Sequence, residues 1–368
     1  MAEAGILGQD GAASTARLHT SSLRGLLGGA ARFRKMQVDP SLMSKPNLLV
    51  VCPPDHYVLR NLQPIKDSAN IQVGSELSFL ERAAADAEII LYSGLTGKSA
   101  TLQEIWPYAK KVRWVHSLSA GVEKILFPEL IESPVVLTNA RGVFKRSLAE
   151  FTVLGMLYFY KRVRRMVDNQ RAHRWDDFYV GMLPGKVMGV VGYGEIGREC
   201  ASLAKALGVK IFAVRRRPEK SGGDSIADRV FPLTELKEML RQIDFSVAAA
   251  PLTPETHHMI SDSEFEAMKP SAVVMNVGRG PVIDEAALIR ALQNGEIAAA
   301  ALDVFEKEPL PDSSPLWDME NVLISPHCTD RTRDPDWLDL SAQAFVENFQ
   351  RFIHGQELQN VVDKRAGY

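Results

Sequence analysis

The chain is 368 residues long, 46% hydrophobic and 24% charged, with 26 glycines and 20 prolines, which suits two globular domains and excludes a disordered or fibrous chain. With 43 basic and 45 acidic residues the formal net charge is -2, so there is no electrostatic basis for a nucleic-acid partner or an anionic membrane. Cys52, Cys200 and Cys328 are too scattered for a disulfide framework or a metal-ligand pattern, and no apolar run approaches the roughly 18–20 residues that span a bilayer.

Residues 1–43 differ from the rest. Between Gly11 and Val38 there is no acid, yet Arg17, Arg24, Arg32, Arg34 and Lys35 occur among small residues and leucines. That composition resembles an organelle transit peptide, against which Glu3 and Asp10 weigh. This leader, disordered or targeting, is set apart from the fold. The expected location is cytoplasmic, or mitochondrial or plastid if the leader is a transit peptide.

Next, NLLVVCPP, AEIILYSG, KVRWVHSLSAG and SPVVLTNARG read as short buried strands with helix-like segments between them. A long helical pattern follows, SLAEFTVLGMLYFYKRVRRMVDNQRAHRW, with Ser147 as N-cap and Glu150 at capping-box spacing. From Gly185 a second series runs KVMGVVG, VKIFAV, DRVFPL, FSVAAAP, AVVMNVG, AAAALDVF and NVLISPH, with helices such as DEAALIRALQNG between. The tail adds one helical pattern, LDLSAQAFVENFQRFIHG, which is expected to pack back on the first domain. Strands alternating with helices predict an α/β fold of two Rossmann-like, doubly wound parallel-sheet domains. The expected division is 44–144 plus 328–368 for a first domain and 145–327 for a second.

Gly192, Gly194 and Gly197 form G-x-G-x-x-G directly after a strand and at the start of a helix, with Glu195 and Ile196 inside the motif. The first glycine permits the tight turn, the second lets backbone approach a pyrophosphate, and the third lets helix and strand pack closely. An acid at the end of the next strand would bind the adenosine ribose and repel a 2′-phosphate. Here that place is Arg215, followed by Arg216 and Arg217, and guanidinium groups match phosphate. The pocket is expected to prefer NADP(H), with NAD(H) possible.

Three later strand ends carry chemistry: Arg279 after AVVMNVG; Asp303, Glu306 and Glu308 after AAAAL; and His327 in LISPH. Ligands of an open α/β sheet sit at the carboxyl ends of its strands, so these groups can converge. Arg279 can hold a substrate carboxylate, His327 can protonate a carbonyl oxygen as hydride arrives, and Glu308 can stabilise the imidazolium.

At this point the sequence resembles the D-isomer-specific 2-hydroxyacid dehydrogenases. The resemblance covers about residues 44–365 and rests on GYGEIG, MKPSAVVMNVGRGPVIDEAALIRAL, LDVFEKEPLP and SPH. It carries the family's Arg, Glu and His onto Arg279, Glu308 and His327. It implies a substrate-carboxylate loop at SLSAGVEKI, with the N–H groups of Ala120 and Gly121 on the acid and Ser93, Gly94 and Leu95 on the other wall. It places Pro251, Thr256, Val277 and Asp303 around the cofactor and implies a homodimer paired through the cofactor domain. Several positions depart from the pattern. Arg215 replaces the ribose acid, as in the NADP(H)-using glyoxylate and hydroxypyruvate reductases. Alanines replace the usual His before PLTPET, and Thr329 replaces the usual small residue after the catalytic His. Glu308, where a formate dehydrogenase has Gln, argues against that branch.

Other candidates read as structural. His257 and His258 lack a third metal ligand at a recognisable spacing, Cys328 reads as a packed residue, His116 and Trp114 as core, and KRVRRM as a solvated face. The sequence thus predicts NADPH-dependent reduction of a short 2-oxo acid to the D-2-hydroxy acid, glyoxylate or hydroxypyruvate being the best fit. The alternatives are a dehydrogenase of bulkier D-2-hydroxy acids and a nucleotide-sensing, corepressor-like binding protein on the same scaffold.

Overall fold

The structure, a computed structural model, describes residues 45–94, 101–221, 223–331 and 335–367. All of them belong to one compact unit, Pro40–Tyr368. The leader and Leu95 lie outside the described residues. Among the described residues twelve strands form two sheets, every strand pairing within them parallel. The first sheet holds β1 (Asn47–Val51), β2 (Asn70–Gly74), β3 (Ile89–Tyr92), β4 (Trp114–Ser117) and β5 (Val136–Asn139) in the order 2-1-3-4-5. The second holds β6 (Val187–Val191), β7 (Lys210–Arg215), β8 (Arg229–Pro232), β9 (Phe245–Ala248), β10 (Val273–Asn276), β11 (Ala299–Leu302) and β12 (Val322–Ile324) in the order 12-11-10-9-6-7-8. Strand order reverses at β1 and at β6, so each sheet opens a crevice at the carboxyl ends of its central strands.

The seven strands expected after Gly185 are all present. The first sheet has one strand more than the pattern predicts, because β2 is an edge strand with Asn, Gln and Gly in five residues and a half-exposed face. Such a strand has no apolar run to read. Parallel sheets are covered on both faces, which is why the inner strands are continuous apolar runs. The helix Lys145–Tyr160 covers β10 and β11 and packs on the helix Glu195–Ala206. Gly155 brings its backbone against Ala301 and Met275.

Two local expectations need correction. Ser147 is not the N-cap: the helix starts at Lys145 behind Phe144, so Ser147 already lies in its first turn and donates its hydroxyl to the Thr329 carbonyl. Glu150 pairs with Arg146 at 2.8 Å instead of closing a capping box. Nor is 147–175 one helix. Arg162 takes a left-handed conformation (φ 54°) between Lys145–Tyr160 and Val163–Arg171. The Tyr160 carbonyl that a continuous helix would engage accepts from Gly181 N–H at 2.7 Å, and Lys161 Nζ donates to the Gly181 carbonyl. The KRVRRM face is therefore partly covered by the returning segment, with Arg165 on Asp176 and over the Phe178 ring.

The C-terminal helix Pro335–Ile353 returns to the first sheet. Phe345 and Phe352 stack on Trp114 at ring distances of 5.1 and 5.4 Å, and Phe349 is buried beside them. Beyond the helix, Val361 bridges Thr138, and Lys364 Nζ donates to the carbonyls of Leu130, Ser133 and Val135. Trp114 and His116 are core residues that share the Thr138 hydroxyl, and burial pushes the His116 imidazole down to about 3. Among the described residues no helix is long and apolar enough to cross a membrane.

Candidate active site

The glycine-rich turn sits at the end of β6, the strand where the order of the second sheet reverses. Gly192 has φ 95°, and a Cβ there would lie 2.5 Å from Ala250 N, so only glycine fits between the ends of β6 and β9. Gly197 packs its Cα against the Gly192 carbonyl and Val190, holding helix to strand. Gly194 differs: a Cβ there would meet nothing within 4 Å. It is the N-cap of Glu195–Ala206 and has no side chain to cap the helix. Open space above a helix N-terminus, with Glu195 and Ile196 beginning the helix, suits a pyrophosphate. Glu195 itself turns to Lys145, 3.5 Å away.

Arg215 is the last residue of β7 and half-buried, with Arg216 and Arg217 exposed beyond it. The Thr253 hydroxyl, and to a smaller extent the Arg216 guanidinium, hold the Glu255 carboxyl below its ordinary value, so Arg216 faces the 251–256 loop. In that loop Thr256 Oγ1 accepts from Thr253 N–H and donates to the Pro251 carbonyl at 2.6 Å, a self-locked turn. Val277, just beyond β10, is buried, its N–H on the Ala248 carbonyl at the end of β9.

His327 and Glu308 are in contact. His327 Nδ1 lies 2.7 Å from Glu308 Oε2, and because a carboxylate only accepts, the ring's Nδ1–H donates and Nε2 is the nitrogen left for chemistry. Glu308 Oε1 accepts from the Phe305 N–H at 3.1 Å, which sets the carboxylate's plane. His327 has φ 48° and is held in that turn by the Asp303 carbonyl, which accepts its N–H at 2.9 Å. Asp303 is buried, and its carboxylate accepts from Cys328 N–H, Thr329 N–H and the Thr329 hydroxyl at 3.1, 3.2 and 2.6 Å. The structure therefore places Asp303 beneath the histidine turn, and Thr329 serves as its ligand there. Burial pushes the neighbouring Asp330 carboxyl above its ordinary value, against the pull of His327.

Arg279 crosses to the first sheet. Its Nη1 donates to the Gly278 carbonyl at 2.8 Å, its Nε donates to Glu123 Oε1, and its Nη2 lies over the Cα of Gly121. The loop beneath is braced: Ser119 Oγ donates to the Gly121 carbonyl and Asn139 Nδ2 to the Ala120 carbonyl, at 2.8 and 2.5 Å. Among the described residues, the N–H groups of Ala120 and Gly121 reach no protein acceptor. A guanidinium beside two such amides has the donors to hold a carboxylate. Gly280 then packs directly on the backbone of Phe305 and Glu306, which joins the Arg279 loop to the Glu308 loop. Ser93 and Gly94 lie at the carboxyl end of β3, and Ser93 is buried with no hydrogen-bond partner for its hydroxyl among the described residues.

Sequence spacing does not reveal Glu123, which lies inside SLSAGVEKI but has no pattern marking it as the residue that reaches Arg279. It also misses the surroundings of His258. Asp284 and Glu306, remote in sequence, close on that ring, with Glu306 Oε1 at 2.7 Å from Nε2, so the spacing argument against further ligands does not hold in space. All three are engaged within the protein: Asp284 caps the helix Glu285–Asn294 through Ala287 N–H, Glu306 and Glu285 exchange N–H-to-carboxylate bonds, and His258 N–H donates to the Pro281 carbonyl. The cluster is a clasp between loops, adjacent to the Glu308 segment.

Residues 153–329 match the family model described as "D-isomer specific 2-hydroxyacid dehydrogenase, NAD binding domain". The chain is 34% identical to a glyoxylate reductase of Aeropyrum pernix over 274 residues, covering 70% of this chain and 78% of that protein. It is also 34% identical to a glyoxylate/hydroxypyruvate reductase B of an Enterobacter species over 281 residues, covering 74% and 84%. Its fold matches the crystal structure of an NADPH-dependent glyoxylate/hydroxypyruvate reductase from Sinorhizobium meliloti in complex with NADP and sulfate. There the TM-score is 0.75, with 25% identity and coverage of 88% of this chain and 100% of that one.

Proposed function

Because this chain belongs to the D-isomer-specific 2-hydroxyacid dehydrogenase family, and is thus an oxidoreductase of small 2-oxo and 2-hydroxy acids, we propose that it is an NADPH-dependent reductase of glyoxylate or hydroxypyruvate, yielding the D-2-hydroxy acid. The observation that carries this reading is a histidine–glutamate pair joined, through the Gly280–Phe305 contact, to an arginine-and-amide cradle. When bound, the nicotinamide supplies the hydride. Arg279 and the N–H groups of Ala120 and Gly121 hold the substrate carboxylate, leaving its carbonyl oxygen for the proton on His327 Nε2. Glu308 stabilises the charged ring, and Asp303 holds the turn that aims it. Gly192, Gly194, Gly197, Glu195 and Ile196 form the pyrophosphate seat, Pro251, Thr256 and Val277 its flank, and Arg215, Arg216 and Arg217 the 2′-phosphate site. In this reading 145–327 is the cofactor domain, and 44–144 with 328–368 the substrate domain.

NADPH and NADH oxidation at 340 nm with glyoxylate, hydroxypyruvate and a bulkier 2-oxo acid tests the proposal. The expected result is fast turnover with NADPH and a two- or three-carbon acid. Arg215→Glu should lower the NADPH-to-NADH ratio of kcat/KM by about 10–100-fold, the worth of one charged hydrogen bond. A wild-type preference for NADH would defeat the cofactor assignment.

A homodimer paired through the cofactor domain is part of the same reading. Trp175 and Tyr179 stand almost wholly in solvent, and Leu154, Met166, Val180 and Met182 are also exposed. Apolar side chains grouped on one 29-residue stretch suit a buried interface. Light scattering should give twice the chain mass for the wild type and a shift toward the monomer for Trp175→Asp. A monomeric wild type would end this part of the proposal.

A further inference from the structure

Glu123 stands beside Arg279 without an assigned purpose. Its carboxylate takes the Nε of Arg279, and its other oxygen lies beside Gly121. Both side chains keep about a third of their surface exposed, 32% for Arg279 and 33% for Glu123, so the pair is open to solvent and to a ligand. We infer that Glu123 selects substrates by charge: it shares the Arg279 guanidinium with the incoming acid, so that the cleft accepts one substrate carboxylate and turns away 2-oxo dicarboxylates.

Three observations carry this. First, two of the five N–H donors of Arg279 are taken, one on Nη1 by the Gly278 carbonyl and the Nε–H by Glu123, which leaves Nη2, over Gly121, and the second Nη1 hydrogen for a ligand. One carboxylate can be served there, together with the two loop amides. Second, Arg279 and Glu123 cancel in charge, so a second carboxylate on the substrate finds no unmatched cation in the pair and meets a like charge at short range. Third, the backbone of Ala120 and Gly121 is braced through Asn139 and Ser119, so the two loop amides stay fixed beside the Arg279–Glu123 pair. Burial alone would raise the Glu123 carboxyl; Arg279, with a smaller part from Lys124, more than reverses this and keeps the group ionised.

The inference rests on Arg279 being the ligand of the substrate carboxylate, and its test separates the two. kcat and KM are measured with NADPH for glyoxylate and for oxaloacetate in the wild type, Glu123→Gln and Glu123→Asp. Gln keeps an acceptor for Arg279 Nε but removes the charge, so the glyoxylate-to-oxaloacetate ratio of kcat/KM should fall roughly tenfold, mostly through the oxaloacetate KM. Asp keeps the charge and should keep the ratio. A Gln ratio within about twofold of the wild type overturns the inference. Inhibition of the wild type by acetate and malonate gives a second readout that does not depend on a variant folding. Malonate competing no better than acetate supports the inference, and malonate binding tenfold tighter overturns it. Absence of wild-type turnover with every 2-oxo acid overturns the underlying reading, and this inference with it.

Discussion

His327→Ala is expected to lower kcat by about 10²–10⁴-fold, the usual worth of a positioned general acid, while NADPH affinity by fluorescence titration stays within about twofold. The separation follows from where the ring sits. His327 is anchored to Asp303 and Glu308 at the ends of β11 and β12, whereas the glycine-rich turn belongs to β6 at the centre of the sheet. Glu308→Gln should cost less, about 10–100-fold: the single amide oxygen can accept from Phe305 N–H or from His327 Nδ1–H but not both, so the charge beside the ring and one hydrogen bond are lost while the ring itself stays. The double variant should be scarcely worse than His327→Ala alone, since the carboxylate acts only through the imidazole. Equal losses of turnover and cofactor affinity would remove His327 from its proposed role, and fully additive losses would detach Glu308 from it.

Gly280→Ala should harm both stability and catalysis. A Cβ at this buried glycine would fall on the carbonyl group of Phe305, with Glu306 N at 2.6 Å, and all of those atoms are backbone that no rotamer change can clear. Forcing the loops apart should cost about 3 kcal/mol, toward the upper range for overpacking. A displacement of about 1 Å between the loops of Arg279 and Glu308 should lower kcat/KM on the order of 10²-fold. Thermal melting and steady-state kinetics on one preparation check both. An alanine variant that melts and turns over like the wild type would show that the two loops are not coupled through this contact. Gly194→Ala is the informative comparison: with no neighbour within 4 Å it should melt like the wild type.

These contacts mark where the sequence is readable and where it is not. GYGEIG is legible because the turn, the phosphate approach and the helix packing are all local, set within six residues. The strands of the second sheet are legible for a related reason: burial on both faces leaves short unbroken apolar runs such as VVMN and AAAL. Edge strand β2, exposed on one side, leaves no such run. The carboxyl-end placement of Arg279, Glu308 and His327 is legible from strand ends alone. What escapes is pairing over long separations. Glu123 and Arg279 are 156 residues apart, His258 and Glu306 48, Ser147 and Thr329 182. The Ser147 N-cap expectation failed because the helix starts two residues earlier, at Lys145, which leaves the hydroxyl inside the first turn and bonded to a carbonyl 182 residues away that local spacing cannot show. The break at Arg162 likewise depends on Gly181 competing for a carbonyl, which no periodicity within the helix can show.

The return of the last helix to the first sheet bears on how the chain is born. Trp114 leaves the ribosome early, yet the rings that cover it, Phe345 and Phe352, are made more than 230 residues later. At about 5–20 residues per second that is a wait of roughly 10–50 s. The seven-stranded sheet, complete by Ile324, has all its strands in hand before the five-stranded one has its lid. The second sheet in the sequence is thus the first that can finish folding. During the wait, the face carrying Leu48, Val50, Ile89 and Trp114 is open to any other apolar surface, including that of a neighbouring nascent chain. A stop codon just before the final helix would make that exposure permanent, and such a product should be trapped by chaperones or aggregate even though every residue of the proposed catalytic trio is present.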